Sequence, residues 1–353
     1  MRAVLYDAFG AMPAVRDVPD PECPPDGAVV AVRATGVCRS DWHGWMGHDP
    51  SIALPHVPGH ELAGVVEEVG AGVQRWRPGD RVTAPFVNAC GSCATCRAGE
   101  QQVCPYQTQP GFTHWGSFAE RVLVAGADTN LVALPEALGF VEAASLGCRF
   151  ATAFRAVVHH GRPRPGEWLA VYGCGGVGLS VVMVAASRAV RVVAVDVSPE
   201  ALRLAGVLGA EETVDARDGD VVRRVREITS GGAHHSVDAI GRATALAEAL
   251  AGLRPRGRHV QVGLLLAGDA CPAVDMGSVV ARELEVIGSH GMAAHHYPEM
   301  LGEIVAGRLD PAGLVARTVD LDGAAEALVS LDSKPRVGTT VVVVGGDGPG
   351  QVG

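Results

Sequence analysis

A chain of 353 residues is long enough for two domains of about 100–200 residues each, and at 48% hydrophobic but 5% aromatic its cores must rest on Val, Leu and Ala. The 29 basic against 39 acidic residues leave a net charge of −10, which excludes the basic surplus of a nucleic-acid binder and suits a protein kept dispersed by self-repulsion. The opening residues MRAVLYDAFG lack the apolar core and cleavage site of a secretory signal, and no apolar run approaches about 18 residues, so a cytoplasmic protein with no membrane partner is expected.

Through residue 145 the chain is rich in Gly, Pro and short β-like runs: AVVAVRATGV (28–37), ELAGVVEEVG (61–70), DRVTAPFV (80–87) and SFAERVLV (117–124). Turn signals such as PPDG and RPGD separate them, which predicts a mostly antiparallel β domain with irregular loops. Near Ala143 the pattern changes. AASLGCRFATAFRAVVHH reads as helical and PRPGE as a turn. Alternating units follow: strands at 167–173, 191–196, 235–241, 259–263 and 284–289, with helices at 179–189, 198–210 (Ser198 as N-cap) and near 243–253. Strands alternating with helices imply βαβ units and a parallel sheet. Past about residue 290 we expect one helix, YPEMLGEIVAGRL, and a last strand, TTVVVV (339–344), both returning to the first domain. The tail 346–353, GDGPGQVG, is too poor in apolar residues to offset the entropy of ordering and is expected to be disordered.

The stretch GVCRSDWHGW packs Cys38, Ser40, Asp41 and His43 into six residues. By itself it suits a nucleophile with its base, half of a metal site, or a polar turn. A second group is denser. CGSCATCRAGEQQVC spaces Cys90, Cys93, Cys96 and Cys104 by two, two and seven residues. In a reducing compartment such a cluster points to metal, not disulfides. Four thiolates fill a tetrahedral Zn²⁺ and leave no position for substrate, so this site is expected to be structural. An iron–sulfur cluster also takes four cysteines, and unliganded surface cysteines are the plain alternative.

YGCGGVG supplies Gly173, Gly175, Gly176, Val177 and Gly178 in a G-x-G-x-x-G pattern between a predicted strand and a predicted helix. Such glycines permit a tight turn and close approach of a pyrophosphate to the helix N-terminus. Asp196 ends the next strand, placed to accept hydrogen bonds from a ribose 2′-OH and to repel a 2′-phosphate, which favours NAD over NADP. Arg203, about a turn later, weighs toward a phosphate. Cys38, His60 and Cys148 could also form a Cys₂His set, the pattern of a catalytic zinc with one open position, although they lie far apart in sequence.

GVCRSDWH, PGHELAGVVEEVG, the four-cysteine lobe, LGC and GCGGVG follow one another in the order seen in zinc-containing medium-chain alcohol dehydrogenases, and the chain resembles that family from about residue 1 to 345. The resemblance implies a GroES-like β-rich catalytic domain (1–145 and 290–345) and a Rossmann α/β domain, a doubly wound parallel sheet for NAD(H) (146–289), with the active site between them. It implies two zinc ions per subunit: a catalytic one on Cys38, His60 and Cys148 and a structural one on Cys90, Cys93, Cys96 and Cys104. Glu61 resembles the carboxylate that approaches the metal during ligand exchange. Asp41 resembles the acid that orients a ligating histidine. Ser40 resembles the hydroxyl that hydrogen-bonds the substrate oxygen, His43 the end of the proton relay, and Arg39 a pyrophosphate contact. Trp45, Phe86 and Trp115 fall where relatives line the substrate cleft.

The implied reaction is reversible oxidation of a primary or secondary alcohol with an apolar or aromatic group to an aldehyde or ketone, with hydride passing to NAD. The resemblance also implies a homo-oligomer, dimer or tetramer. A zinc-independent quinone or enone reductase on the same scaffold, which would lack the Cys/His/Cys set, and a noncatalytic NAD- and zinc-binding sensor are the competing readings. Three positions depart from the family. Arg149 stands where a small residue is common, Ala201 where many NAD users have lysine, and near the C-terminus only Arg336 offers a second pyrophosphate arginine. The adjacent pairs His159–His160, His234–His235 and His295–His296 are expected to be exposed residues.

Overall fold

A computed structural model describes residues 1–333 and 337–345; Arg336 and the tail 346–353 lie outside the described residues. The chain divides into two compact units, Met1–Ala151 with the chain from Gly291 onward, and Thr152–His290. Cys148 and Arg149 therefore belong to the first.

The first unit begins with an antiparallel pair, β1 (Arg2–Leu5) and β2 (Ala14–Asp17). Its centre is β3 (Ala28–Val37), flanked by β4 (Leu62–Val69) and followed outward by β5 (Arg81–Thr83) and β7 (Val132–Ala133), while β6 (Arg121–Val124) also pairs with β3. These pairings are antiparallel. β3 is the run AVVAVRATGV, apolar on both faces except near Arg33, which suits a strand covered on both sides.

In the second unit six strands, β8 (Trp168–Tyr172), β9 (Arg191–Asp196), β10 (Glu212–Asp215), β11 (Ala233–Asp238), β12 (Leu253–Gln261) and β13 (Glu285–Gly288), form one parallel sheet in the order β10-β9-β8-β11-β12-β13. That is the doubly wound order of a dinucleotide-binding fold, with its topological switch between β8 and β11. Every residue of β8, WLAVY, is buried, as a central parallel strand requires. The chain then returns to the first unit with β14 (Val315–Val319) and β15 (Thr339–Val343). These two pair parallel, and β15 joins β3 antiparallel.

Several elements were not legible as such, the short strands β1, β2 and β7 among them. β10 is only ETVD, with one buried residue, and the helix Val221–Ile228 buries only Val221 and Val225 beneath four charged residues. Past residue 290 the structure adds β14 and the helix Leu321–Ser333 to the expected helix and strand. That helix seals the first core through Leu321, Ala324 and Leu328.

The expectation that the paired histidines are exposed fails for all but His295. His235 is buried in β11, bonded to Glu167 at 2.9 Å, and His234 accepts the Trp168 N–H at 2.9 Å and meets Arg254 at 2.6 Å. Neighbours in a strand point to opposite faces, so a polar pair there is not a surface pair. Among the described residues no helix is long and apolar enough to cross a membrane.

Candidate metal centres and cofactor loop

Cys90, Cys93, Cys96 and Cys104 converge within the first unit. Their sulfurs stand 3.9 Å (Cys90–Cys96), 3.9 Å (Cys93–Cys104) and 3.6 Å (Cys90–Cys104) apart. These separations are far beyond a disulfide's ~2.05 Å and close to the edge of a tetrahedron with Zn–S of about 2.3 Å, roughly 3.8 Å. Backbone N–H groups of Cys96 and Tyr106 already point at Cys93 and Cys104. Hydrogen bonds from the backbone at Ser92 and Cys93 hold the Cys90 thiol down to about 6, whereas burial pushes Cys96 up to about 12. The lobe is pinned by buried Asn130, which accepts from Ala89 N–H and donates to the carbonyls of Ala89 and Ala125.

The second centre draws on three distant segments. Cys38 leaves β3 and caps a short helix, α1 (Arg39–Trp45). His60 and Glu61 enter β4 after Gly59. Gly59 has φ +106° and lies so close to Phe118 and Ser117 that a side chain could not fit. Cys148 sits in a π-helical turn, Leu146–Phe150, a distortion frequent at functional sites. Gly147 lets that turn approach Ala84 and Glu61, and its carbonyl takes the N–H of Phe86 at 3.1 Å and the hydroxyl of buried Tyr297 at 3.2 Å. One ligand atom from each of Cys38, His60, Glu61 and Cys148 lies within 4.8 Å of the others.

Asp41, 1% exposed, ties two of these segments together. Its carboxylate accepts the backbone N–H of Cys38 (3.0 Å), the N–H of Gly59 (3.0 Å) and His60 Nδ1 (2.8 Å). This fixes the imidazole so that Nε2 is the free nitrogen, and Nε2 is buried without a hydrogen-bond partner. Burial disfavours an imidazolium here, but Asp41 and then Cys38 outweigh it and hold His60 above its ordinary value. The hydrogen bond from Cys148 holds the Cys38 thiol well below its ordinary value against burial, and the same neighbour holds Cys148 well above. A buried imidazole nitrogen with no partner beside two cysteine sulfurs is a donor set that fits a thiophilic metal ion.

Arg149 is 8% exposed and Glu61 fully buried. Glu61 Oε1 accepts the Arg149 backbone N–H (2.9 Å) and Nε (3.0 Å), and Nη2 donates to Oε2. Burial pushes the Glu61 carboxyl up while Arg149 pulls against it. Burial also works against the guanidinium, which Glu61 nonetheless holds above its ordinary value. The two-point geometry is that of a charged pair.

Beside this centre, Ser40 Oγ lies 3.8 Å from Cys38 Sγ. His43 Nδ1 meets His48 Nδ1 at 2.9 Å, and His48 is exposed. Burial, then His48 and Arg39, lower His43 below its ordinary value. Arg39 is bonded to Asp332 at 2.8 Å. Phe86 stands edge-on to the His60 ring at 6.2 Å, and Phe112, which the sequence did not single out, at 5.3 Å. Trp45 packs in the core with its indole N–H on Ala11 O (2.6 Å); Trp115, half-buried, donates to Pro55 O (3.0 Å).

In the second unit the glycine loop joins β8 to the helix Gly176–Ala186, at the carboxyl end of the sheet. Gly173 has φ +93°, and a side chain at Gly178 would strike the Gly173 carbonyl, so both are required by the turn itself. Gly175 meets nothing within 4 Å. Its bareness leaves open space where a pyrophosphate would approach the backbone. Asp196 accepts the N–H of Cys174 (2.6 Å) and of Ser198 (2.8 Å), which holds the loop against the end of β9. Burial pushes the Cys174 thiol up to about 12, so it is a packing group.

Residues 24–136 match the family model for an alcohol dehydrogenase GroES-like domain, and 176–306 that for a zinc-binding dehydrogenase. An alcohol dehydrogenase of Rhizobium meliloti (strain 1021) is 34% identical over 92% of this chain and 99% of its own length. The structure of the alcohol dehydrogenase TADH from Thermus sp. ATN1 superposes with a TM-score of 0.90 at 34% identity, over 98% of this chain and 100% of that one. That of an NAD-dependent alcohol dehydrogenase does so with 0.88 at 33%, over 98% and 100%. The chain belongs to the zinc-containing medium-chain dehydrogenase family.

Proposed function

We propose that this protein is an NAD-dependent zinc alcohol dehydrogenase that reversibly oxidises a primary or secondary alcohol carrying an apolar or aromatic group. The observation that carries the reading is the orphaned Nε2 of buried His60, grouped with the sulfurs of Cys38 and Cys148. Those three residues would hold the catalytic zinc, and Cys90, Cys93, Cys96 and Cys104 a second, structural one. A zinc ion there supplies Lewis acidity toward an alcohol or carbonyl oxygen, and the nicotinamide accepts the hydride.

The chain's own groups do the rest. Asp41 fixes the His60 tautomer. Ser40 accepts the proton of the substrate hydroxyl on Oγ as it gives up its own hydroxyl proton to the relay. His43, at the end of that relay, takes up a proton on one ring nitrogen and releases one from Nδ1 to exposed His48 through their 2.9 Å contact. Phe86, Phe112 and Trp115 give the substrate an apolar wall, and Trp45 supports it from the core. Gly173, Gly175, Gly176, Val177 and Gly178 cradle the pyrophosphate, and Asp196 faces the adenosine ribose. Arg39, paired with Asp332 in an exposed ion pair that costs little to break, is the candidate pyrophosphate contact.

In this reading the catalytic domain, expected from the sequence at 1–145 with 290–345, runs on to Ala151 and so keeps Cys148, and the cofactor domain begins at Thr152, not at 146. The protein works in the cytoplasm as a homo-oligomer. Its edge strand β13 bonds only to β12 among the described strands, and Val286, Val280 and Met276 are 46%, 73% and 58% exposed, a poor edge to leave in water.

The test is metal content and NAD-linked turnover on one sample across benzylic, aliphatic and polyol alcohols. Two zinc ions per subunit with best rates on benzylic or aliphatic substrates are expected. Zero or one zinc with reduction of quinones or enones would instead identify the zinc-independent reductase, and full zinc with no turnover a sensor.

A further inference from the structure

One side chain touches all three segments of the proposed catalytic centre. Arg149 follows Cys148 in the chain. Its partner Glu61 follows His60, and its Nη1 donates to the carbonyl of Val37, which precedes Cys38, at 3.1 Å. Room for this arrangement comes from Gly36. A methyl group there would run into Glu61 Oε2 and lie 2.7 Å from Arg149 Nη2.

The partner is the unusual element. Glu61 is a fully buried carboxylate whose oxygen lies within 4.8 Å of the ligand atoms of Cys38, His60 and Cys148. Unrestrained, it would be drawn to a metal bound there, because a buried anion seeks the nearest cation. Both of its oxygens are instead engaged by Arg149.

Resting on the proposed zinc site, we propose that Arg149 is a positioning residue that latches Glu61 away from the metal, keeping the fourth coordination position open for substrate. A lysine could carry the charge but not the two-point grip on both oxygens.

Cobalt(II) exchanged into the whole protein tests this without turnover. Imidazole titration reads the open position through the visible spectrum, since a four-thiolate cobalt site has no position to offer. Wild-type protein should show a saturable spectral change with imidazole. Arg149→Met should weaken imidazole binding about tenfold or more, with the cobalt spectrum altered before imidazole is added. Arg149→Lys should fall between. Arg149→Met/Glu61→Gln, which removes the carboxylate along with its latch, should restore the wild-type response.

Wild-type imidazole affinity in Arg149→Met, or failure of the double variant to recover, overturns the latch. If Arg149→Met does not fold, Arg149→Lys decides: an unchanged affinity overturns the proposal. Absence of a second cobalt in the wild type would defeat the catalytic-zinc reading instead, so the two failures are separable.

Discussion

The two cysteine centres lie in one unit and offer donor sets that could each hold a metal ion, yet they are built in opposite ways. Cys90 to Cys104 converge within fifteen residues, on a lobe where Cys90 is exposed and the sulfurs already sit near tetrahedral spacing. Cys38, His60 and Cys148 come from three segments, and Asp41, Gly59, Gly147 and Tyr297 are needed to bring them together. The first has four donors and nothing left to offer. The second has three thiol and imidazole donors and a carboxylate tied down by Arg149. A closed site can only stabilise, whereas an open one can do chemistry, and openness has to be maintained by surrounding structure.

The comparison breaks most sharply at Cys148. Cys148→Ser should lower alcohol-dependent NADH formation about 10³-fold, several kcal/mol of lost Lewis-acid stabilisation. Zinc content should fall from two to one per subunit, and NAD binding should stay near its original strength. Unchanged turnover would mean that the metal at Cys38 and His60 does not act on substrate. The opposite experiment is Cys104→Ser. It should also remove one zinc, but its effect should appear in stability. Losing a few kcal/mol from a unit of this size should lower the melting temperature by on the order of 10 °C, with kcat below that temperature nearly unchanged. A large kcat loss at low temperature would erase the distinction between the two centres.

The same contrast explains what could be read in advance. The four-cysteine lobe is local, so its spacing alone announces it. The glycine loop is local too, and the geometry separates its members: Gly173 and Gly178 serve the turn, and Gly175 leaves room for something outside the protein. The Cys38, His60 and Cys148 set was legible only through family resemblance, because no spacing rule links residues 22 and 88 positions apart. The Arg149–Glu61 pair was less legible still. Arg149 stood out as a departure, but its partner depends on Gly36 and on a π-helical turn that a helical pattern does not reveal. β10 and β14 escaped because short, half-exposed strands carry little periodic signal. His48 belongs to no motif, and only its contact with His43 brings it into the proposed proton path.

The finest difference concerns protons. A closed four-thiolate site exchanges none with substrate, whereas alcohol oxidation at the proposed open centre must release one. Burial and the neighbouring His48 and Arg39 lower His43 below the ordinary imidazole value. Neutral His43 is the form that can accept a proton, and a depressed value keeps it neutral to lower pH. Activity in the oxidative direction should therefore hold through the pH range where an exposed histidine would already be protonated, then fall as pH drops through the lowered value. His43→Gln should reduce kcat about tenfold. That is less than the 10²–10⁴ typical of a group acting on the reacting atom itself, because in the proposed relay His43 acts at the outlet, where solvent can substitute. The acid limb of the pH profile should shift, and added imidazole buffer should restore part of the rate. His48→Gln should cost less again, and raise His43 toward the ordinary value by removing a neighbour that lowers it, so that the acid limb moves to higher pH. A profile identical in both variants and wild type would remove the histidine pair from the proton path while leaving both metal centres as described.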